Sequence, residues 1–236
     1  MAQQEHIPAR IVTIVQETPT IRSFVLDTGG RYTGLPGQWI DVVQTIDGET
    51  KAAGLSPTSV PNPEGRVQVA VKRAYAHPVT QWLYEEAKEG DTVAISHGSG
   101  SFHYTPERGR KVVLIGGGVG VTPLVSIFRY IDEQVPDAEA HLIYSVAQAR
   151  EILFQEELER RVAENPRLDM TVTVTGEPGT WGGLTRYVDA ELIEEQFLDP
   201  EALYYLCGPN AMVDSMAECL PQLGIPEDQV IFERWW

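Results

Sequence analysis

The chain has 236 residues, 42% of them hydrophobic, and carries 18 basic against 34 acidic side chains, a net charge of −16. That charge argues against nucleic acid or an anionic membrane as a partner. No apolar run approaches the roughly 18 residues that a membrane-spanning helix needs, and two cysteines are too few for a disulfide framework or a four-cysteine iron–sulfur cluster.

The first half of the sequence predicts an antiparallel β-barrel. Short β-branched or aromatic segments bounded by turns are typical of strands, and they cover 9–18, 21–28, 37–46, 66–74 and 91–98. One helix is predicted at 78–90, since Pro78 suits its start and Gly90 its end. Several short strands with a single short helix favour a small closed barrel.

The second half predicts a parallel sheet with helices on both faces, because unbroken apolar strands alternate with helical segments. The strands are predicted at 112–116, 141–146, 170–176, 202–208 and 230–236, and the helices at 123–134, 151–163, 188–197 and 209–222. We therefore expect an α/β chain of two domains, an all-β antiparallel barrel at 1–106 and a five-stranded parallel-sheet domain at 107–236. Charge changes there too, from −2 over residues 1–110 to −14 over 111–236.

A glycine-rich turn joins the first parallel strand to the helix after it. Four of the five residues at 116–120 are glycine, so a phosphate can approach the main-chain N–H groups at the helix start. Thr122 suits the N-cap and Pro123 the first helical position. Val121 stands where the last glycine of G-x-G-x-x-G would be, and such glycines also serve tight packing. In this context the turn favours a dinucleotide pyrophosphate.

Six segments together resemble the ferredoxin–NADP reductase superfamily: "YTGLPGQWIDV", "GLSPTS", "VAVKRAYAHPVTQWL", "GDTVAISHGSGSF", "GGGVGVTP" and "LCGPNAMVDSM". The ending "FERWW" and the variant "GLSPTS" resemble its subgroup of oxidoreductase NAD-binding domain-containing proteins. The resemblance covers nearly the whole chain. It implies that the barrel binds FAD, that the second domain binds NAD(P)H, and that hydride passes from NAD(P)H to FAD. Electrons would then pass to a ferredoxin-like or other electron-carrier protein, or to a small acceptor.

The flavin segment departs from the family pattern. The family's Arg-x-Tyr-Ser corresponds here to 53–56, so Ala53 replaces the arginine, Leu55 replaces the tyrosine, and Ser56 is retained. Loss of a bidentate phosphate partner weakens cofactor binding unless another group replaces it. The candidates for that role are Lys51, Lys72, Arg73 and His77. The alternative is that the stretch 56–65, "SPTSVPNPEG", is only a proline-rich turn.

The resemblance also implies a set of cofactor contacts. Main-chain N–H groups at the start of the 78–90 helix would meet the flavin pyrophosphate, although His77 can equally be a turn residue. The residues implied on the flavin side are Leu55, Ser56, Val71, Lys72, His77, Val79 and Thr80. Those implied on the nicotinamide side are Gly117, Gly118, Val119, Gly120, Thr122, Pro123, Ser145, Arg150, Cys207, Gly208, Pro209 and Met212.

Three residues have catalytic roles by resemblance: Ser56, Cys207 and Glu233. Cys207 would lie beside the nicotinamide C4 and the flavin N5 and help seat the ring rather than act as a nucleophile; the alternative is a buried small residue at a tight strand-to-helix turn. Glu233 would hydrogen-bond or relay a proton near N5. Trp235 and Trp236 would cover the flavin; the alternative is that they cap the edge of the sheet.

The sequence leaves the coenzyme open between NADH and NADPH. Ser145 and Arg150 follow the second parallel strand, where NADPH users in the family place Ser and Arg for the 2′-phosphate. No acidic side chain ends that strand to hold an unmodified ribose, yet the net charge of the second half weighs mildly against an extra phosphate.

We therefore expect a flavin-dependent NAD(P)H oxidoreductase without a metal site, since the five histidines show no ligand spacing. The alternatives are an electron-transfer subunit active only within a complex, and a binding module without turnover. The N-terminal residues show no signal-peptide pattern, so a cytoplasmic protein is expected. The sequence does not decide between a monomer and a dimer.

Overall fold

The computed structural model describes residues 6–73, 77–177 and 181–235. Within these ranges, six strands form an antiparallel sheet: β1 (Ile7–Thr18), β2 (Ile21–Asp27), β3 (Ile40–Ile46), β4 (Glu49–Leu55), β5 (Arg66–Lys72) and β6 (Thr92–Ile95). Their order is β4-β3-β6-β1-β2-β5. The two edge strands approach each other through a bridge between Pro57 and Val69. The sheet therefore curls into a barrel, which confirms the predicted antiparallel architecture.

The inside of the barrel is filled by the alternating face of its strands and by one helix. Val67, Val69 and Val71 of β5 are buried, as the period-2 pattern predicts. The helix α1 (Pro78–Glu85) adds the fully buried Val79 and Leu83. It ends sooner than predicted because the N–H groups of residues 86 and 87 both donate to the carbonyl of Trp82 and close the last turn.

Strand β4 was not predicted from the sequence. Its residues are mostly small or charged, and such residues are weak strand formers. The strand forms because Asp47 and Gly48 both adopt positive φ, 51° and 79°, in the tight turn that pairs β4 with β3. The Asp-Gly pair is the signal that could have predicted this hairpin. The strand matters because it carries Gly54 and Leu55 to the site.

In the second half, the described residues form a five-stranded parallel sheet in the order β11-β10-β7-β8-β9, which confirms the prediction. The strands are β7 (Lys111–Gly117), β8 (Glu139–Gln148), β9 (Leu168–Glu177), β10 (Leu203–Cys207) and β11 (Val230–Glu233); the helices are α2 (Thr122–Gln134), α3 (Gln155–Glu164), α4 (Ala190–Gln196) and α5 (Asn210–Gln222). Leu114 of β7 packs with α2 and α3, and its neighbour Ile115 packs with α4 and α5. Both faces are therefore covered. No helix in the described ranges is long and apolar enough to cross a membrane.

Two helices of this sheet begin later than predicted. The helix expected at 151–163 begins at Gln155, because residues 149–151 form a 3₁₀ turn and Phe154 takes a positive φ of 57°. The helix expected at 188–197 begins after Asp189, whose side chain caps it by accepting the N–H of Leu192 at 2.9 Å.

A buried arginine joins the two sheets. The guanidinium of Arg129, on α2, donates to the carbonyl of Thr58 at 2.8 Å and to Oε1 of Gln68 at 2.7 Å, both in the barrel. It also donates to Glu157 of α3 at 2.9 Å and lies 4.5 Å from the centroid of the Phe154 ring. With its carboxylate and carbonyl partners in place, the buried charge is compensated. The contact fixes the chain after β4 against α2.

Two further contacts cross between the sheets. The hydroxyl of Ser126 donates to the carbonyl of Ser59 at 2.9 Å, beside the arginine. At the connection between β1 and β2, the hydroxyls of Thr18 and Thr20 donate to Oε2 of Glu151 at 3.1 and 2.5 Å. These bonds hold the barrel against the carboxyl ends of the parallel strands, where a ligand site is expected in such sheets.

Replacing Arg129 by methionine should lower the free energy of unfolding by about 3 kcal/mol, because it strands the buried carbonyl of Thr58. Arg160→Met is the matched control. Arg160 forms an exposed i,i+4 ion pair with Glu164, and losing that pair costs about 0.5 kcal/mol or less. Urea unfolding of the three proteins measures both changes. Equal losses in the two variants would contradict the structural role assigned to Arg129.

Candidate functional site

A cleft of about 440 Å³, here called the central cleft, opens between the two sheets. It gathers residues that lie far apart in the sequence. From the barrel come Gly54, Leu55, Ser56, Ala70 and Lys72; from the parallel sheet come Gly117, Gly118, Val119, Gly120, Thr122, Gly208 and Pro209; and the C-terminus adds Trp235. The tertiary structure thus brings the glycine turn, the 53–56 segment and the chain ending to one place.

The glycine turn has the packing role considered for it and leaves one position open. A Cβ on Gly117 would lie 2.5 Å from Cδ of Pro209, and one on Gly120 would lie 2.5 Å from Cα of Gly208, so these two glycines allow two strand-end turns to pack together. Gly118 differs: it has φ +53° and nothing within 4 Å of a Cβ position. Its main chain therefore faces open space in the cleft, where a phosphate can approach.

The prediction that Thr122 is the N-cap of α2 was wrong by one residue. Residues 118–121 form a 3₁₀ turn that runs directly into the helix, so Val121 occupies the cap position and Thr122 is already helical. The hydroxyl of Thr122 donates to the carbonyl of Val119 at 3.0 Å. Pro123, second in the helix, is buried. No side chain caps this helix start, but the N–H of Thr122 donates to the carbonyl of Val119, so the N–H groups left for another acceptor are those at the start of the 3₁₀ turn, beside Gly118.

Ser56 lies at the barrel wall of the central cleft. Its side chain is 5% exposed, and its Oγ atom has no hydrogen-bond partner among the described residues. An unpaired buried hydroxyl costs free energy, so such atoms usually meet a ligand or a water molecule. A polar atom of a bound ring would satisfy it.

Trp235 packs directly on the backbone of β4. A Cβ on Gly54 would lie 3.2 Å from Cζ3 of Trp235 and 3.9 Å from Cε3 of Trp39. The absence of a side chain at position 54 therefore makes room for the indole. Sequence reasoning did not find this contact, since nothing local links a strand glycine to the chain ending. Trp236 lies outside the described residues.

A second cleft of about 660 Å³, the barrel cleft, lies on the other side of Trp235. It is lined by Trp39, Asp41, Ala52, Ala53, Gly54, His77, Thr80, Glu233, Arg234 and Trp235. At its α1 end, Nδ1 of His77 accepts the N–H of Val79 at 3.3 Å, and the hydroxyl of Thr80 donates to the carbonyl of His77 at 2.9 Å. His77 is therefore a helix cap as well as a cleft residue. Val71 and Val79 have their side chains in the barrel core, so only their main chains can meet a ligand.

Cys207 and Glu233 are register neighbours at the ends of β10 and β11. The pKa of the Cys207 thiol is raised to about 12, mainly by burial and also by the Glu233 carboxylate, while a hydrogen bond with Trp235 opposes the rise. The thiol therefore stays protonated at neutral pH and is a poor nucleophile. Burial also raises the pKa of Glu233 to about 7, and its Oε2 atom has no partner among the described residues.

A third cleft of about 550 Å³, the β8 cleft, adjoins the central cleft along Lys72, Gly117, Gly118, Val119 and Pro209. Of the residues predicted from the sequence, Ser145 and Met212 line it as well. Arg150 is exposed, and the residue from its turn that lines the cleft is the next one, Glu151. Asp189 and the 72% exposed Tyr187 also line it, and sequence reasoning missed all three.

Lys72 is the cation shared by the central and β8 clefts. Its side chain is exposed, and its ammonium group makes no hydrogen bond or ion pair with the described residues. Other cations near the site are engaged: Lys51 with Glu49, and Arg234 with Asp214 at 2.6 Å. Among the described residues, no group of three or more His, Cys, Asp or Glu side chains is placed to hold a metal ion.

Two family models match the chain, an Oxidoreductase FAD-binding domain over residues 8–104 and an Oxidoreductase NAD-binding domain over residues 114–218. Oxidoreductase NAD-binding domain-containing protein 1 of Danio rerio is 31% identical over 99% of this chain and 93% of its own. The flavohem-like FAD/NAD-binding domain of nitric oxide dioxygenase from Vibrio cholerae O1 biovar El Tor is 25% identical, with a TM-score of 0.87 over 99% of both chains. The ferredoxin reductase in carbazole 1,9a-dioxygenase is 25% identical, with a TM-score of 0.86 over 98% of this chain and 70% of that one.

The raised pKa of Glu233 gives a pH dependence of stability. A carboxyl group whose pKa is higher in the folded protein stabilises the fold fully below its ordinary pKa and loses that contribution as pH rises through about 7. Glu233→Gln keeps a neutral side chain at every pH. The stability difference should therefore move in favour of the variant between pH 4.5 and pH 8, as measured by denaturant unfolding.

The exposed Glu227→Gln serves as the control for the charge change alone. A difference between wild type and Glu233→Gln that stays constant over this pH range would contradict the assignment.

Proposed function

Because the chain belongs to the ferredoxin–NADP reductase superfamily and, within it, to the oxidoreductase NAD-binding domain-containing proteins, we propose that it passes electrons from NAD(P)H through FAD to an acceptor outside the chain. The observation that carries this proposal is the central cleft. There the partnerless hydroxyl of Ser56, the open turn at Gly118 and the indole of Trp235 face one volume. Such a volume suits two stacked rings with anionic tails.

The barrel side of the site fits a flavin. Ser56 Oγ can pair with a polar atom at the edge of the ring, and Trp235 presents an aromatic face against Gly54. His77 and Thr80, at the start of α1, line the barrel cleft, where a pyrophosphate would meet them. These groups take over the tasks of the missing family arginine and tyrosine, whose positions hold Ala53 and Leu55.

The parallel-sheet side fits a nicotinamide coenzyme. The start of the 3₁₀ turn at Gly118, which runs into α2, would form an anion site for its pyrophosphate, and Lys72 would supply a cation from the barrel. Gly208 and Pro209 line the same edge, beside Cys207. The thiol of Cys207 is fully buried and lines none of the three clefts, so this residue would support the turn at Gly208 and Pro209 from behind rather than touch the ring.

When bound, FAD would supply the link between a two-electron donor and a one-electron acceptor by accepting a hydride from NAD(P)H. The chain's own residues would position the two rings, shield them from water and hold a proton nearby. Trp235 excludes water from the wall between the central and barrel clefts. Glu233 holds a proton at its carboxyl group up to about pH 7, so it can donate a hydrogen bond in neutral solution.

The acceptor is a separate molecule, because the chain's two cysteines, Cys207 and Cys219, cannot form a four-cysteine cluster of its own. The likeness to the ferredoxin reductase in carbazole 1,9a-dioxygenase supports an electron-carrier protein in this role. The parallel-sheet half has a net charge of −14, which disfavours docking of an acidic carrier on that side. Such a carrier would dock on the more neutral barrel half.

Anaerobic titration of the FAD-loaded protein with NADH and with NADPH tests the proposal. We expect at least one coenzyme to bleach the flavin absorbance. A protein that binds FAD but is bleached by neither coenzyme would be a binding module rather than a reductase. Failure to bind FAD at all would also end the proposal.

Ser56→Ala should slow flavin reduction by about 10-fold, because it removes one hydrogen bond near the reacting ring without changing the fold. Ser101→Ala, at an exposed serine, is the matched control and should leave the rate unchanged. Rapid-mixing absorbance of the FAD-loaded proteins gives both rates. An unchanged rate in Ser56→Ala would remove this residue from the site.

A further inference from the structure

We propose that the β8 cleft selects NADH over NADPH and that Glu151, held in place by two threonines of the barrel, is the selecting residue. The inference rests on the proposed use of this cleft for a nicotinamide coenzyme. The two coenzymes differ in a single group, the 2′-phosphate on the adenosine ribose. Selection therefore depends on what the protein offers at that ribose.

The path of the chain after β8 brings the carboxylate to the cleft. The strand ends at Gln148, and the 3₁₀ turn at 149–151 redirects the backbone. Arg150, the cation that would suit a 2′-phosphate, is exposed at this turn, whereas the half-buried Glu151 lines the cleft beside Ser145. A carboxylate therefore stands where the sequence had suggested a guanidinium.

Glu151 is held by the other sheet. The hydroxyls of Thr18 and Thr20 both donate to its Oε2 atom, at 3.1 and 2.5 Å. Its Oε1 atom makes no hydrogen bond with the described residues. One oxygen is thus anchored and the other is left as an acceptor, which is the arrangement that receives a ribose hydroxyl. Thr18 and Thr20 are positioning residues for this acceptor.

The charges around the cleft disfavour an additional phosphate. Its charged lining residues are Lys72, Glu151 and Asp189; Asp189 is paired with Arg186 at 2.9 Å, whereas Glu151 makes no ion pair with the described residues. The ammonium of Lys72 also lines the central cleft with the glycine turn, where the pyrophosphate common to both coenzymes would use it. A 2′-phosphate adds a charge of about −1.5 to −2 and would meet carboxylates without a cation of its own.

Binding of two nicotinamide-free probes tests the inference without turnover. Calorimetry should show that ADP-ribose binds more tightly than 2′-phospho-ADP-ribose by on the order of 100-fold, since like charges placed together cost several kcal/mol. This comparison needs no variant. Equal binding of the two probes, tighter binding of the phosphorylated one, or no binding of either would overturn the inference.

Variants then identify the selecting group. In Glu151→Gln, the preference for ADP-ribose over 2′-phospho-ADP-ribose should fall to about 10-fold or less. The amide keeps the shape of the carboxylate but does not repel the 2′-phosphate. The pair Thr18→Val and Thr20→Val should lower the preference while Glu151 is still present. The matched control is Glu156→Gln, an exposed glutamate in the first turn of α3. A preference that Glu151→Gln leaves unchanged, or that Glu156→Gln lowers equally, would overturn the assignment.

Flavin reduction separates this inference from the proposed function. If NADPH bleaches the bound flavin as efficiently as NADH, the selectivity is refuted and the reductase activity stands. If the probes are discriminated but neither coenzyme reduces the flavin, the selectivity is supported and the proposed function is refuted.

Discussion

The geometry of this site depends on one buried guanidinium. Arg129 reaches from α2 into the barrel and pairs there with a carbonyl and an amide oxygen, while Glu157 balances its charge on the other side. A buried ion pair contributes little net stability, but it is highly directional, because each donor must find its acceptor once water is removed. It therefore holds the chain after β4 at a set distance from the glycine turn. The central cleft exists because that distance is maintained.

Across the cleft, the protein keeps polar atoms buried and unpaired, which is unfavourable in the absence of a ligand. Ser56 Oγ and Glu233 Oε2 have no partner among the described residues, and burial keeps Glu233 neutral to about pH 7. The glycine turn likewise exposes main chain rather than side chain. Such features are costly in a structural core and useful in a site, since a ligand recovers the lost hydrogen bonds. Of the three such side-chain atoms in the described part of the chain, Ser56 Oγ and Glu233 Oε2 belong to residues that line the central and barrel clefts, and His103 Nδ1 does not, which supports a cofactor site at these clefts.

The chain also departs from its superfamily in how the flavin side is built. In the family, an arginine and a tyrosine on one strand hold the flavin phosphate and ring. Here the smaller residues Ala53, Gly54 and Leu55 occupy that part of the strand. The space released is used by Trp235, whose indole rests on the glycine. Under the proposed function, contact with the flavin ring would move from the strand to the chain ending. The β8 cleft shows the same reliance on the opposite sheet, because barrel threonines orient Glu151.

The sequence by itself determined the architecture, because strand and helix periods, glycines and prolines act locally. Alternation in β5 and unbroken apolar strands in the second half predicted both sheets, and the turn at 116–120 lies at the strand end where the sequence predicted it. Only the tertiary structure decided which side chains face the clefts. Glu151 rather than Arg150 enters the β8 cleft because a 3₁₀ turn and two distant threonines orient it. Trp235 meets Gly54 because the fold brings the residues after β11 next to the end of β4, which is remote in the sequence. The direction of a side chain after a turn depends on what packs against it, and that information is not local.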